Sequence, residues 1–154
     1  MTVTVWTGNF KGMTQIIPVL GSGSMLHQVA RELTTELDRR FALLDVTTQQ
    51  AALLSYASSG KSSPSQLMDA IGTDTAGMTR LLDRLEAKGL IRRGPNPDDR
   101  RSVLVEPTER GLALVPQLAP VFGQVTSQLF EGFSDAEVAN FSSFLKRMRE
   151  NLQS

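Results

Sequence analysis

Two arginines four residues apart, Arg80 and Arg84, lie in a segment whose apolar residues recur at helical spacing. At roughly 100° per residue, Met78, Leu81, Leu82 and Leu85 form one stripe of that helix, and the two guanidiniums fall on the roughly opposite face. One face is for a core and the other for a partner. A guanidinium is a planar fork of donors that matches phosphate oxygens and guanine edges. Just ahead of the arginines, Ala76 and Gly77 are small enough for another surface to approach closely, and Thr75 and Thr79 add hydroxyls that can bond to phosphate or base. This is chemistry for docking on a nucleic-acid duplex, with Arg80 reaching a base edge or, alternatively, pairing with phosphate. Taken alone, the arginines also fit solvated surface charge, with Arg84 balanced by Asp83 or Lys88 by Glu86.

A second cationic feature follows at once. Gly89 ends the helical pattern, and Leu90 and Ile91 begin an extended stretch that runs through Arg92, Arg93 and Gly94. Pro95-Asn96-Pro97-Asp98-Asp99-Arg100-Arg101 then makes a turn in which the prolines forbid regular structure, and Val103, Leu104 and Val105 bring the chain back as a β-hairpin. The hairpin tip is narrower than a helix, so Arg100 and Arg101 are candidates for entering a minor groove, where the potential is most negative. Asp98 and Asp99 would repel phosphate if they faced it, so Asp99 at least should turn inward onto an arginine.

The elements ahead of this segment are marked by their caps. Thr47 to Gln50 and Ser63 to Gln66 both fit the capping box, the second with Pro64 at the first helical position. Leu53 and Leu54, then Leu67, Met68 and Ile71, supply the buried sides of these two helices. Gly72 makes a turn, and Thr73, Asp74 or Thr75 caps the helix carrying Arg80. Two helices, a tight glycine turn and a helix with a cationic outer face form the helix-turn-helix arrangement.

On either side lie longer amphipathic helices. After Pro18 and the Gly21-Ser22-Gly23-Ser24 stretch, read as a breaker, Leu26, Val29, Leu33 and Leu37 follow a helical period. Beyond the hairpin, Thr108 caps a helix with Leu112, Val115, Leu118, Phe122, Val125 and Leu129 on one side. Pro116 and Pro120 predict a kink or break between Val115 and Pro120. Ser134 and Glu137 form another capping box, with Phe133 and Val138 placed for a hydrophobic staple. The last helix has an apolar stripe, Val138, Phe141, Phe144, Leu145, Met148 and Leu152, large enough to want a partner. Met1 to Gln15 shows no helical period and reads as a tail.

The chain has 154 residues and a formal net charge of zero, so duplex binding must come from local placement of arginine rather than overall charge. It has no cysteine and one histidine, His27, which leaves no disulfide, thiolate zinc site, cysteine nucleophile or histidine-rich metal site. No Gly-x-Ser-x-Gly elbow or phosphate-binding glycine loop supplies a catalytic constellation, so an enzyme is not expected. No run of apolar residues reaches membrane-spanning length and no signal sequence opens the chain, so the expected setting is cytoplasmic, with no metal and no cofactor.

The segment Met78 to Arg93, followed by Asn96-Pro97-Asp98-Asp99-Arg100-Arg101 and Pro107-Thr108-Glu109-Arg110-Gly111, resembles the MarR family of transcriptional regulators. The resemblance implies a mainly α fold with a small β-hairpin wing. Residues 1–20 would be a tail, residues 47–107 a winged helix-turn-helix lobe, and residues 24–44 and 108–154 dimerisation helices within one domain. It also implies that Asp99 orients the wing while Arg101 reaches DNA. The function it implies is a homodimeric repressor of a pseudo-palindromic double-stranded DNA operator, relieved by a small aromatic or anionic effector. For the effector the candidate residues are His27, Arg31, Tyr56 and Phe122, joined by Trp6 or Phe10 from the tail. The alternative is a winged-helix module that binds a protein partner in place of DNA.

Overall fold

The computed structural model describes residues 16–60, 62–96 and 103–153. Six helices and one hairpin follow in the order α1 (Ile16–Phe41), a 3-10 turn (Ala42–Leu44), α2 (Thr48–Ala57), α3 (Pro64–Ile71), α4 (Thr75–Ala87), β1 (Ile91–Pro95), β2 (Val103–Pro107), α5 (Glu109–Leu129) and α6 (Asp135–Gln153). The fold is mainly α with a two-stranded antiparallel wing, as the residue pattern implies.

The start of each short helix is chemically determined. Thr47 and Gln50 close a reciprocal capping box at α2, and Ser63 and Gln66 do the same at α3 behind Pro64. Gly72 adopts φ 70°, a left-handed turn that an L side chain rarely tolerates. Of the three candidates for the α4 cap, the residue is Asp74, whose carboxylate accepts from the Gly77 amide at 2.6 Å. At α6, Ser134 and Glu137 exchange bonds in the same manner, the Ser134 amide donating to Glu137 at 2.8 Å.

Phe41, Leu53, Leu54, Leu67, Leu85, Ile91, Val105 and Leu118 are fully buried, so the core draws on α1, all three helices of the lobe, the hairpin and α5. Phe122 joins it edge-on to Phe41, with ring centroids 4.8 Å apart. The hairpin is tied to the helices through Ser62, which pairs with Val105 and accepts its amide at 2.9 Å. Between α1 and α5, Arg40 donates to Gln128 at 2.9 Å while Glu36 accepts from Arg39 and Arg40. Those two guanidiniums hold the Glu36 carboxyl at about 2, against the usual 4.5.

Two expectations are corrected. The Gly21–Ser24 stretch does not break the chain, because α1 is continuous from Ile16 and the expected tail through residue 20 therefore overlaps its first turns. Pro18 falls in that first turn, where its amide would have had no carbonyl partner. Each glycine costs about 1 kcal/mol relative to alanine, which a helix of this length absorbs cooperatively. Of the kink or break predicted at Pro116 and Pro120, the break is absent as well, since α5 runs unbroken from Glu109 to Leu129. Both prolines are on the exposed side of α5, where the carbonyls they leave unbonded are open to solvent. The apolar stripe of α6 has no buried residue in the single chain, and Leu152 is 88% exposed.

The backbone of α5 comes very near the end of α4 at Gly111. Any Cβ placed there would run into the Leu90 carbonyl oxygen and crowd Leu54 Cδ1. Gly111→Ala is therefore expected to cost about 1–3 kcal/mol of stability. A urea midpoint lowered without a change in slope would show it, and an unchanged midpoint would refute it.

Candidate nucleic-acid interface

The second helix of the helix-turn-helix presents its polar side outward. Thr75, Ala76, Thr79, Arg80 and Arg84 are exposed and Gly77 is half-exposed, while Met78, Leu81, Leu82 and Leu85 are buried beneath them. The Thr79 hydroxyl donates to the Thr75 carbonyl at 2.9 Å, leaving its oxygen able to accept or to switch partner. Gly77 has a reason to be small that spacing does not reveal. A Cβ there would collide with the Thr73 hydroxyl and press on the Asp74 carboxylate that caps the helix.

Beside α4 lies a polar concavity of about 400 Å³ lined by Gln49, Thr73, Asp74, Gly77, Arg80 and Arg84. Gln49 is not among the residues that spacing singles out. Its signal is the Thr47 capping box, which places residue 49 in the exposed first turn of the neighbouring helix. The first turn of α2 and the first turns of α4 therefore border one concavity.

Charge pairing separates this surface from the rest of the segment. Arg92 bonds Glu106 across the hairpin at 2.8 Å, in register with it. Arg93 spans Asp83 at 2.8 Å and Glu86, pinning the first wing strand onto α4. Lys88 pairs with Asp45 and not with Glu86. Arg80 and Arg84, in contrast, have no carboxylate partner among the described residues, and both are exposed.

Arg100, Arg101 and Asp99, the residue expected to orient the wing, lie outside the described residues, as do Trp6 and Phe10. The four effector candidates are not gathered in one place. His27 and Arg31 line an open groove of about 370 Å³ along α1 with Thr34, Thr35 and Asp38. Tyr56 is exposed on α2, and the Phe122 ring is engaged with Phe41. Among the described residues no cluster of His, Cys, Asp and Glu is arranged to hold a metal ion. No described helix is long and apolar enough to cross a membrane.

A model of the MarR family matches residues 44–102. The multiple antibiotic resistance protein MarR of Escherichia coli is 33% identical over 136 residues, spanning 87% of this chain and 92% of MarR. The chain belongs to the MarR family. A solved structure of a MarR variant from E. coli complexed with operator DNA matches it with a TM-score of 0.75 and 32% identity, over 87% of this chain and 95% of that one. Bordetella bronchiseptica BpsR, solved to explain how 6-hydroxynicotinic acid regulates its DNA binding, matches with a TM-score of 0.75 and 28% identity, over 82% and 91% of the two chains. In this MarR-family regulator the two-stranded hairpin follows directly on α4, with α5 starting at Glu109 beyond it.

The tie between wing and helix is acid-sensitive. Arg93 donates from its side chain and its backbone to Glu86 and holds that carboxyl below its usual 4.5. Because the folded value is depressed, the contribution is complete above about 4.5 and is lost as pH falls through the lower folded value. A carboxyl NMR titration should place Glu86 below 4.5 in the native chain and return it toward 4.5 in Arg93→Ala. Identical midpoints in the two proteins would disprove the assignment.

Proposed function

We propose that this MarR-family regulator acts in the cytoplasm as a homodimeric repressor of a pseudo-palindromic operator, with α4 of each subunit in a major groove. The observation that carries this is charge selectivity: Arg80 and Arg84 alone among the described cations of residues 75–96 lack a carboxylate partner, and both are exposed on the outer side of α4.

In this reading Arg80 contacts a base edge and Arg84 a phosphate. Thr75 and Thr79 add hydrogen bonds, and Ala76 and Gly77 keep the approach close. Gln49 extends the phosphate contacts from α2. Arg100 and Arg101 reach the adjacent minor groove while Asp99 orients the wing. Two-fold symmetry then brings two such surfaces to half-sites one helical turn apart. The partner copy covers the apolar side of α6, where Phe141, Phe144 and Met148 stand open in the single chain. The operator complex of the E. coli relative supports the DNA assignment. Relief by a small aromatic or anionic ligand is supported by BpsR and by the groove holding His27 and Arg31, with Tyr56 and Phe122 as the other proposed contacts.

The test is a footprint on the DNA upstream of the gene, followed by titrations of variants at several salt concentrations. Arg80→Ala should weaken operator binding by about 1–3 kcal/mol and relax the sequence preference. Arg84→Ala should weaken all duplexes alike and lower the salt slope by about one for each phosphate it ceases to neutralise. Native affinity in both variants would remove these two assignments.

A further inference from the structure

The carboxy-terminal end of α4 is held by bonds that its spacing does not announce. Lys88 lies one turn beyond Arg84 and by periodicity continues the exposed cationic stripe. Its ammonium instead reaches back 43 residues to Asp45, donating to the carboxylate at 3.0 Å and also to the Asp45 backbone carbonyl. Asp45 closes the 3-10 turn between α1 and α2. It is the one non-glycine residue with positive φ, at 55°, among the described residues. Aspartate is one of the few residue types that visits this left-handed region readily. The turn therefore presents two oxygens of one residue to a single cation.

The same end of α4 is gripped from the other side. Arg110 donates to the Lys88 carbonyl at 2.9 Å, and the Thr108 hydroxyl donates to the Gly89 carbonyl at 2.6 Å. While α4 packs chiefly on α2, α3 and β1, these polar bonds, together with the Thr108 amide's bond to the Leu90 carbonyl, tie its end to the roots of α1 and α5.

We infer that the Lys88–Asp45 pair is a positioning latch that fixes the angle of α4 against the junction of α1 and α2, and so sets the half-site separation the dimer accepts. The inference rests on the operator reading above. In a two-fold dimer, the distance between recognition helices is set by the angle at which each lobe leaves the paired helices. The turn at residues 42–45 is where that angle is made, and Lys88 is the direct bond from the recognition helix to it. The two side chains are 30% and 83% exposed, so the pair adds little to global stability. Its removal leaves the fold standing and the angle loosened.

The test uses the operator found by footprinting together with duplexes in which the half-sites are one base pair closer or farther apart. Lys88→Met keeps the stem and removes the ammonium. It is expected to reduce the preference for native spacing by roughly twofold to fivefold, the reach of a partly exposed pair. Asp45→Asn keeps a residue suited to the turn and both oxygen acceptors, and should act in the same direction by less. The double variant should match Lys88→Met alone, since both changes break one interaction. Because the chain contains no cysteine, a spin label at Ala76→Cys reports the separation of the two α4 helices without interference. Its distance distribution in free dimer should broaden in both variants.

Unchanged spacing ratios and distance distributions in the variants would overturn the latch. So would uniform weakening by Lys88→Met and uniform strengthening by Asp45→Asn at every spacing, which is the signature of charge acting on the phosphate field. A wild-type chain that binds none of the duplexes would instead overturn the operator reading and the latch with it. One that binds, with variants that keep its ratio, sinks the latch alone.

Discussion

The Leu90 carbonyl is the point at which the lobe closes. It accepts the Thr108 amide at 3.0 Å, while the Leu90 amide is bonded to Leu85 at 2.9 Å behind it. Gly111 passes so close that no side chain fits between. Just before it, Gly89 takes φ 67° to let the chain leave the helix at once. The end of α4, the residue just before β1 and the start of α5 thus share one hydrogen-bonded knot. Since Ile91 pairs with Pro107 immediately beyond it, the position of the wing relative to α4 follows from the knot rather than from the wing's own residues.

Around this knot the charges are arranged by subtraction. A neutral chain has no surplus to spread over a polyanion, so a basic surface has to be made by neutralising cations elsewhere. Arg92, Arg93 and Lys88 are engaged with Glu106, with Asp83 and Glu86, and with Asp45. These exposed pairs hold orientation more than they hold stability, because solvent screens them and side-chain entropy opposes them. Their effect is that, among the described residues, two arginines of α4 keep charge unpaired with any carboxylate on the side away from the core. Wing attitude and surface potential are consequently set by the same pairs.

The parts of this arrangement that are legible in the sequence are those determined within one turn of chain. The boxes at Thr47 and Gln50, Ser63 and Gln66, and Ser134 and Glu137 are local hydrogen-bond chemistry, as is the left-handed turn at Gly72. The buried stripe of α4 and its exposed arginines follow from period alone. Pairings between distant elements are not legible. Local spacing offers Glu86 to Lys88, yet the hairpin folds Arg93 back onto that carboxylate and Lys88 turns to Asp45 across 43 residues. The capping box marks Gln49 as exposed, but its place beside α4 depends on how two helices cross. Proline and glycine signal breaks that the fold does not make. Their cost is local, while the helices that contain them are secured by Leu37, Leu118 and Val125 in the core.

The continuity of α5 has a mechanical meaning. A proline that broke it would uncouple the wing's root from everything beyond residue 120, whereas an unbroken helix of 21 residues is a rod about 30 Å long. A rotation of about 5° at its Gly111 end displaces the far end by about 2–3 Å. Displacements of that size are large compared with the tolerance of close-packed side chains, so they repack an interface rather than deform it continuously. The bonds from Arg40 to Gln124 and Gln128 bind the far half of this helix to α1, and Arg110 binds its near end to the Lys88 carbonyl just past α4. Recognition helix, wing and terminal helices are therefore linked through a stiff element held at both ends, which means that a change in any one of their angles has to be met by the others.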